Sequence, residues 1–165
     1  MQILKHIADS DISNDFHTRE AVRAVLFDEN GNVPLLFSTK NIFHKIPGGG
    51  VEVGETFHQA LEREILEEVG ARITDVKELG IVEEYRSKFN LKQVSYCYVA
   101  HVVAKGENKL EPDEIEEGFE IIWVPLQKAI ALLESDQPYD YEGPFIKKRE
   151  LVFLREAAKY EQNLH

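Results

Sequence analysis

The sequence of 165 residues predicts an α+β fold, a sandwich built on a mixed β-sheet. Segments with strand-like alternation lie among segments of helical periodicity, without the regular βαβ repetition of a parallel sheet. Hydrophobic residues make up 43% of the chain, which is enough apolar material for a real core. No repeat and no low-complexity linker interrupts the chain, so we predict a single domain over residues 1–165.

The first half of the chain is predicted to hold strands, a glycine-rich loop and one helix. The segment 19–38, "REAVRAVLFDENGNVPLLFS", favours two strands paired as a hairpin around "DENGN". A glycine-rich loop follows this segment. Thr56 and Gln59 have the spacing of a capping box and Gly70 is a helix stop, which together predict a helix over 56–69.

The second half of the chain is predicted to alternate between strands and helices, again without a fixed order. The predicted elements are two longer strands (76–86 and 92–104), an acidic loop (105–118), a short strand (119–126) and two helices (126–135 and 144–160).

Charge and composition exclude several classes of protein. The formal net charge of -11 is unfavourable for binding nucleic-acid backbones or anionic membranes. No segment approaches the length of a membrane span, and the N-terminus lacks the apolar region of a signal peptide. The single cysteine, Cys97, cannot form an internal disulfide or a cysteine metal cluster, which fits a reducing compartment. We therefore expect a cytoplasmic protein whose partner is a small molecule.

The predicted helix over 56–69 concentrates three carboxylates. Glu64, Glu67 and Glu68 share one arc of the helix beside an apolar stripe, and Glu68 lies inside the edge of that stripe. Like charges at these spacings destabilise a helix, and a carboxylate at the core boundary is costly without compensation. One interpretation is a solvated charged face with Arg63 as a partner. The other is a site for a hard cation, because carboxylates are ligands for Mg²⁺, Mn²⁺ and Ca²⁺.

The glycine loop and this helix together resemble the signature box of the Nudix hydrolases, which here would span residues 49–71. That box is a glycine, five residues, a glutamate, seven residues, Arg-Glu, an aliphatic residue, any residue, Glu-Glu, any residue, a glycine and an aliphatic residue. The matching positions are Gly49, Glu55, Arg63, Glu64, Ile65, Glu67, Glu68 and Gly70, and Ala71 is smaller than the usual last residue. The resemblance implies an α/β/α sandwich with a mixed central sheet, in which the box forms a loop, a helix and a second loop.

In the Nudix family the clustered glutamates hold Mg²⁺ or Mn²⁺, which bridges to a pyrophosphate. The resemblance therefore implies that Glu64, Glu67 and Glu68 are metal ligands, with the backbone carbonyl of Gly48 as a further one. Glu64 and Glu67 are also candidates for the general base. The reaction implied is hydrolysis of a nucleoside diphosphate linked to another group, with Mg²⁺ or Mn²⁺ as the cofactor.

The other matched positions of the box are implied to be structural. Glu55 and Arg63 would orient the loop and the helix through an ion pair. Gly49 and Gly70 would provide the close approach and the turn that the motif needs.

The general base can also come from a late loop, because family members differ in this respect. Glu117 lies six residues before Trp123, and that spacing resembles the late-loop glutamate of members that cleave nucleoside triphosphates. Glu117 is therefore the first candidate, followed by Glu116 or Glu114. The alternative for all three is a plain solvated acidic turn.

Two basic residues are candidates for contacts with the phosphates of a substrate. Arg23 lies in mid-strand, where an apolar residue is expected, and Lys45 lies just before the glycine loop. Each has the alternative of reaching solvent at a sheet edge. The six histidines show no metal spacing, and His44 and His58 are expected on the surface.

The resemblance leaves the substrate open. The proline that ADP-ribose-cleaving members often carry beyond the box is absent, and so is the tryptophan often found before "PGG" in triphosphate-cleaning members. The short chain slightly favours nucleoside triphosphates, including oxidised ones, over ADP-ribose or dinucleoside polyphosphates. A non-catalytic nucleotide-sensing module and a Ca²⁺-stabilised scaffold are the alternatives, although sensors usually lose box glutamates. Many relatives dimerise, so a homodimer is compatible with the resemblance.

Overall fold

The computed structural model describes residues 1–12 and 15–162, and its strands form two sheets. The strands are β1 (Ile3–Ala8), β2 (His17–Phe27), β3 (Asn32–Ser38), β4 (Phe43–Lys45), β5 (Gly48–Gly50), β6 (Ala71–Arg86), β7 (Leu91–Lys105) and β8 (Phe119–Pro125). The helices are α1 (Phe57–Val69), α2 (Pro112–Glu116), α3 (Leu126–Ser135) and α4 (Gly143–Gln162), with a 3₁₀ turn at Ser87–Phe89.

The larger sheet is mixed and has the strand order β1-β6-β7-β2-β5. The pairs β1–β6 and β2–β7 are parallel, whereas β6–β7 and β2–β5 are antiparallel. The smaller sheet has the order β4-β3-β8 and is antiparallel throughout. The mixed α+β architecture predicted from the sequence is therefore confirmed.

The predicted hairpin is wrong in its pairing, although both strands and the turn between them are present. β2 pairs with β5 and β7 in the larger sheet, whereas β3 pairs with β4 and β8 in the smaller one. The carboxylate of Asp28 holds the turn by accepting hydrogen bonds from the backbone N–H groups of Asn30 (2.9 Å) and Asn32 (2.8 Å). A turn sequence fixes only the local reversal of the chain, while the pairing depends on which faces a strand buries. From Ala21 onward β2 is buried on both faces, as suits a strand inside a sandwich.

Helices cover both faces of β2. Leu26 lies in one core cluster with Ile65 of α1, and Phe27 lies in another with Leu133 of α3 and Phe153 of α4. Successive residues of a strand point to opposite faces, so the two clusters lie on the two sides of the sheet. This is the α/β/α layering that the family resemblance implied.

The helix α1 begins and ends where the sequence predicted. The hydroxyl of Thr56 accepts a hydrogen bond from the backbone N–H of Gln59 (3.2 Å), and the side chain of Gln59 accepts one from the N–H of Thr56 (2.8 Å). Gly70 ends the helix at a φ of 69°, in the left-handed region that favours glycine. Leu61 and Ile65 of its apolar stripe are fully buried, and this packing fixes which face of α1 carries the glutamates.

The short elements β1, β4, β5 and α2 were not predicted, because β4 and β5 have only three residues each and the other two are too weakly patterned. β1 is an edge strand whose one buried residue is Ile7, so its sequence shows no clear alternation. α2 forms inside the predicted acidic loop and is only five residues long. A capping box formed by Glu111 and Glu114 starts it, with the N–H of Glu111 donating to the Glu114 carboxylate (2.9 Å).

The expectation that His44 lies on the surface is wrong, whereas His58 is exposed as expected. The backbone N–H of His44 donates to the carboxylate of Asp136 (2.7 Å), and its ring Nδ1 lies 2.9 Å from the same carboxylate. This pair joins β4 to the end of α3, and burial of His44 is acceptable because its polar groups are satisfied. In the described part of the chain, no helix is long and apolar enough to cross a membrane.

Candidate functional site

A cleft of about 310 Å³ lies where the two sheets, α1, α2 and the start of α4 meet. It brings together six charged residues that the sequence singled out. They are Arg23, Lys45, Glu64, Glu68, Glu114 and Glu117. Gly48 and Gly49 also line the cleft, so the glycine-rich segment, the glutamate-bearing helix and the late acidic segment share one cavity.

Glu68 is the buried carboxylate of this cleft, with only 1% of its surface exposed. One of its oxygens accepts a hydrogen bond from the backbone N–H of Gly48 (2.6 Å), and the other accepts one from the ammonium group of Lys45 (3.1 Å). Burial raises the pKa of Glu68 to about 8, against the opposing charge of Lys45, and the neighbouring carboxyl of Glu114 adds to the rise. The protein therefore compensates the charge of this carboxylate incompletely.

Gly48 brings the backbone close to this carboxylate and to Arg23. Its φ is 140°, and a Cβ at this position would lie 2.1 Å from the carbonyl oxygen of Val22 in the neighbouring strand. Only glycine tolerates both the conformation and the contact. The carbonyl oxygen of Gly48 accepts a hydrogen bond from Arg23, whose side chain is buried in the cleft wall. Burial, together with the charge of Arg149, lowers the pKa of Arg23 to about 10.

Arg63 holds the other carboxylates of α1. Its guanidinium pairs with Glu55 (2.6 Å), with Glu64 (2.8 Å) and, more weakly, with Glu67 (3.3 Å). It also donates to the carbonyl of Gly50 (3.0 Å), which ties the helix to β5. The ion pair between Glu55 and Arg63 is therefore present. Burial raises the pKa of Glu67 despite the nearby Arg63, and the charge of Glu64 adds to the rise.

Gly49 leaves the space that Glu64 occupies. A Cβ at position 49 would lie 2.3 Å from a carboxylate oxygen of Glu64. The side chain of Glu64 is 12% exposed and lines the cleft, whereas that of Glu67 is 28% exposed and is turned towards Arg63.

The segment before α2 is fastened to the end of α1 by three hydrogen bonds. The N–H of Gly106 donates to the carbonyl of Gly70 (2.7 Å), and the N–H of Lys109 donates to that of Glu67 (2.6 Å). The side-chain amide of Asn108 donates to the carbonyl of Glu68 (3.1 Å). The late acidic segment is thus held against the glutamate-bearing helix.

The three late-loop candidates for a general base have different surroundings. The carboxylate of Glu114 lies 3.8 Å from Lys45 and is 14% exposed. Glu117 also lines the cleft, but its carboxylate accepts hydrogen bonds from Asn41 (3.0 Å) and Ser38 (3.4 Å). The side chain of Glu116 is 78% exposed and lies outside the cleft lining. Glu114 and Glu117 therefore both face the cavity, and Glu114 is the one next to the buried carboxylate.

A second group of charged residues in the cleft was missed by sequence reasoning. Glu84 is fully buried and accepts hydrogen bonds from Arg86 (2.8 Å), Arg149 (2.9 Å) and Gln93 (3.2 Å). Arg19 at the rim donates to the side-chain oxygen of Gln93 (3.2 Å). Burial alone would raise the pKa of Glu84, but the charges of Arg149 and Arg86 outweigh it and hold the pKa below its ordinary value. The sequence signal that could have identified this group is the presence of charged or amide residues at positions of β6, β7 and α4 where apolar core residues are expected.

The oxygen donors around Glu68 are of the kind that Mg²⁺ and Mn²⁺ prefer. In this conformation the carboxylates are engaged by cationic side chains, and among residues 1–12 and 15–162 no three acidic or imidazole groups form a ready cation cage. Arg63 holds Glu64 and Glu67, and Lys45 holds Glu68. The donor set therefore fits a hard cation in chemistry, and binding one requires these ion pairs to rearrange.

Comparison with known proteins gives one family match and several similar structures. The model of the NUDIX domain matches residues 17–148. An RNA pyrophosphohydrolase of Baumannia cicadellinicola subsp. Homalodisca coagulata is 39% identical over 64 residues, which cover 39% of this chain and 40% of that relative. The match thus spans less than half the length of this curated relative.

Two solved structures resemble the fold. A NUDIX hydrolase from Nitrosomonas europaea has a TM-score of 0.65 at 19% identity, covering 89% of this chain and 90% of that one. A MutT NUDIX hydrolase from Burkholderia pseudomallei has a TM-score of 0.62 at 21% identity, covering 85% and 98%. At these identities the likeness concerns the fold, and it agrees with the α+β sandwich described above.

Proposed function

This chain belongs to the NUDIX family, and we propose that it is a Mg²⁺- or Mn²⁺-dependent pyrophosphohydrolase acting on a nucleoside diphosphate linked to another group. The observation that carries the proposal is Glu68, a buried carboxylate whose charge is incompletely compensated in a cleft that also holds basic residues. A carboxylate in a cleft whose pKa is raised strongly by burial is a candidate for a functional site. Nucleoside triphosphates, including oxidised ones, are the favoured substrates within this class.

Glu64, Glu67 and Glu68, with the carbonyl of Gly48, are proposed to hold the cation. A bound divalent cation would supply charge neutralisation for the pyrophosphate and acidify the attacking water. The N–H of Gly48 already donates to Glu68 (2.6 Å), and the carbonyl of Gly48 would exchange its hydrogen bond from Arg23 for the cation. Glu64 and Glu67 would exchange Arg63 for the cation, and Arg63 would keep its stronger contact with Glu55.

Arg23 and Lys45 are proposed to contact the phosphates of the substrate. Arg23 is a buried cation in the cleft wall, and Lys45 lies in the cleft with its ammonium group 4.4 Å from the centre of the Phe119 ring. Positive groups preorganised in a partly desolvated cleft stabilise the charge that develops on a phosphoryl group. Gly49, Glu55, Arg63 and Gly70 shape the motif without a direct part in the chemistry.

The general base is proposed to be a glutamate of the late acidic segment. The sequence analysis placed Glu117 first as the general base. The position of Glu114 beside Lys45 and Glu68 supports Glu114 for the same role. The variant of the true base should lower kcat strongly, leave Mg²⁺ binding close to wild type and flatten the acidic limb of the pH–rate profile. Glu116→Gln is the matched control, because Glu116 is exposed. If Glu114→Gln and Glu117→Gln both keep a near-normal kcat, the role passes to Glu64 or Glu67.

The proposed activity is tested with a panel of nucleotide derivatives and with Mg²⁺ present or omitted. The panel includes nucleoside triphosphates, oxidised triphosphates, ADP-ribose, dinucleoside polyphosphates and a 5′-triphosphorylated RNA. The last is included because of the RNA pyrophosphohydrolase relative, although the net charge of -11 disfavours a long RNA. We expect Mg²⁺-dependent release of pyrophosphate or phosphate together with a shorter nucleotide. Nucleotide binding without any hydrolysis would instead favour a sensing module.

Two further proposals concern the whole chain. We propose that residues 1–165 act as one domain, of which the family match covers the larger part. We also propose a homodimer, on the basis of the family resemblance alone. Analytical ultracentrifugation would measure the oligomeric state in solution.

A further inference from the structure

We propose that three arginines of the cleft, Arg19, Arg86 and Arg149, bind a second phosphoryl group of the substrate, separate from the anhydride that is cleaved. This set is called the arginine cluster below. The inference rests on the proposed function, because it takes the anhydride to lie between the glutamates of α1 and Arg23. The proposal narrows the substrate to a nucleotide that carries a second phosphoryl group away from its 5′ anhydride.

The arginine cluster is a connected and mostly buried group. Arg149 is 1% exposed and Arg86 is 4% exposed, yet both line the cleft. Glu84 accepts from both of them and from Gln93, and Gln93 in turn accepts from Arg19 at the rim. Burying several guanidinium groups against one cavity is costly, because each loses its hydration.

The buried groups around the cluster have more hydrogen-bond donors than acceptors. The two buried arginines of the cluster, Arg86 and Arg149, are balanced by two fully buried glutamates, Glu84 and Glu150, and Arg19, whose side chain donates to the neutral Gln93, adds a further positive charge. Three buried side-chain atoms in the described part of the chain make no hydrogen bond, and they are two donors, the Nε atoms of Arg23 and Arg86, and one acceptor, Oε2 of Glu150. Each guanidinium carries five N–H donors in a planar fork that matches phosphate oxygens. An anionic group with several acceptor oxygens would satisfy this surplus.

The acidic residues near the cluster do not remove this surplus. Glu142 pairs with Arg86 at 2.8 Å, but its side chain is 44% exposed, so solvent screens the pair. Asp140 accepts a hydrogen bond from the backbone N–H of Gly143 (3.0 Å). Neither residue accepts a hydrogen bond from the buried Nε atom of Arg86.

The register of the larger sheet separates the cluster from the proposed anhydride position. Arg23 pairs with Gly48, at the glutamate side of the cleft, whereas Arg19 pairs with Gln93 and Gln93 pairs with Glu84. Arg19 and Arg23 lie four residues apart on one face of β2, with Cα atoms about 13 Å apart along the strand. The guanidinium of Arg19 reaches back to Gly50, whereas Glu84, which holds Arg86 and Arg149, lies on β6, two strands away from β2. A pyrophosphate is shorter than either separation. A phosphoryl group held by the cluster therefore belongs to another part of the substrate, such as the 3′ position of the ribose.

The test compares two substrates that differ only in the second phosphoryl group. These are GTP and guanosine 5′-triphosphate 3′-phosphate, assayed with Mg²⁺ in the full chain. We expect a kcat/KM about tenfold higher for the 3′-phosphorylated substrate, carried mainly by KM, which corresponds to about 1.4 kcal/mol. Arg19→Ala should reduce this preference towards one, because Arg19 is exposed and its loss spares the core. Arg155→Ala, an exposed arginine that pairs with Glu134, should keep the wild-type preference.

A third substrate, the dinucleotide 5′-triphosphate pppGpA, distinguishes a phosphomonoester from a phosphodiester as the source of the group. A preference for either phosphorylated substrate over GTP supports the proposal. Equal kcat/KM for all three overturns it, as does an Arg19→Ala variant that loses activity equally on GTP and on the phosphorylated substrates.

A binding measurement keeps this test independent of catalysis. Adenosine 3′,5′-bisphosphate contains no anhydride, and it should bind more tightly than adenosine 5′-monophosphate by calorimetry in the absence of Mg²⁺. Arg19→Ala should lose that difference while Arg155→Ala keeps it. If no substrate is hydrolysed but the bisphosphate is preferred, the proposed enzyme activity fails and the anion site stands. If GTP is hydrolysed and neither phosphorylated ligand is preferred, the activity stands and the anion site fails.

Discussion

Glu68 and Glu84 are both buried carboxylates beside the same cleft, and their pKa values move in opposite directions. Glu84 has two arginines and a glutamine around it, so its pKa lies below the ordinary value. Glu68 has one lysine and one backbone N–H, with a second carboxyl nearby, so its pKa rises to about 8. Burial is nearly the same at the two positions, so the difference comes from the partners. The protein compensates the charge of Glu84 fully and that of Glu68 only in part, which fits the proposed role of Glu68 as a metal ligand.

The largest expected difference between the two residues is in catalysis. Glu68→Gln should lower kcat by about a thousandfold, because a lost ligand weakens metal stabilisation of the transition state by several kcal/mol. Its metal-free stability near neutral pH should hold or rise, because Glu68 is mostly protonated in the folded state there but ionised in the unfolded state, and glutamine removes that difference. The assay measures turnover at saturating Mg²⁺. Glu62→Gln, an exposed glutamate of the same helix, is the control, and wild-type turnover in Glu68→Gln would remove Glu68 from the metal site.

The second difference is in folding. Glu84→Gln should lower the free energy of unfolding by about 3 kcal/mol, because it leaves two buried arginines without their shared carboxylate. Urea denaturation of the metal-free protein measures this loss. Glu78→Gln, an exposed glutamate of the same strand, should be almost neutral. A stability loss of similar size in Glu68→Gln would mean that the contrast between the two carboxylates is wrong.

A third difference concerns stabilisation by the cation. Mg²⁺ that binds only the native state should raise the free energy of unfolding by about 2.7 kcal/mol at a hundred times its Kd. The rise should shrink sharply in a Glu64→Gln, Glu67→Gln double variant and persist in Glu84→Gln. Thermal melts with and without Mg²⁺ measure it. An unchanged rise in the double variant would place the cation elsewhere.

The smallest expected difference is in the pH dependence of the metal-free protein. The pKa of Glu68 is raised on folding, so its contribution to stability is present below the unfolded value and is lost as pH rises towards about 8. The pKa of Glu84 is lowered, so its contribution is present at neutral pH and is lost as the solution becomes acidic. Glu68→Gln should therefore remove about 1 kcal/mol of the stability loss between about pH 7 and about pH 8. Part of the slope should remain, because the pKa of Glu67 is also raised.

Acid unfolding completes this comparison. The acid-side loss of stability should be the same in Glu68→Gln as in wild type, because Glu84 is intact in both. Denaturant titrations across the pH range give both slopes. If Glu68→Gln shifted the acid side and left the alkaline side unchanged, the two pKa assignments would be reversed.

Local patterns in the sequence predicted the elements whose signals are local. The caps at Thr56 and Gly70 and the stripe through Ile65 specify α1 within a few residues, and the box glutamates lie on that helix. The turn at Asp28 was also local, but which sheet each strand joins depends on residues far away in the chain. The short strand β1 gave no pattern, because a strand at a sheet edge buries little.

The rest of the site depends on contacts between distant residues. Arg149 meets Glu84 across 65 positions of sequence, and His44 meets Asp136 across 92. The spacing to Trp123 placed Glu117 first as the general base. The contacts that distinguish the two residues come from distant parts of the chain, because Glu117 bonds to Ser38 and Asn41 whereas Glu114 lies beside Lys45. No window of sequence contains that information, because it arises only when the two sheets close around the cleft.

The three glycines of β5 should differ in how well they tolerate substitution, and related sequences should vary at these positions accordingly. A methyl group at Gly48 would meet the backbone of Val22, which cannot move aside, so this position should accept no replacement. At Gly49 it would meet the carboxylate of Glu64, so replacement should preserve the fold and abolish turnover. At Gly50 it would meet the flexible end of Arg19, so replacement should be accepted most readily and act on substrate choice. A saturation library scored separately for protein abundance and for turnover would rank the three positions in this order, and adjacent codons would evolve under three different constraints.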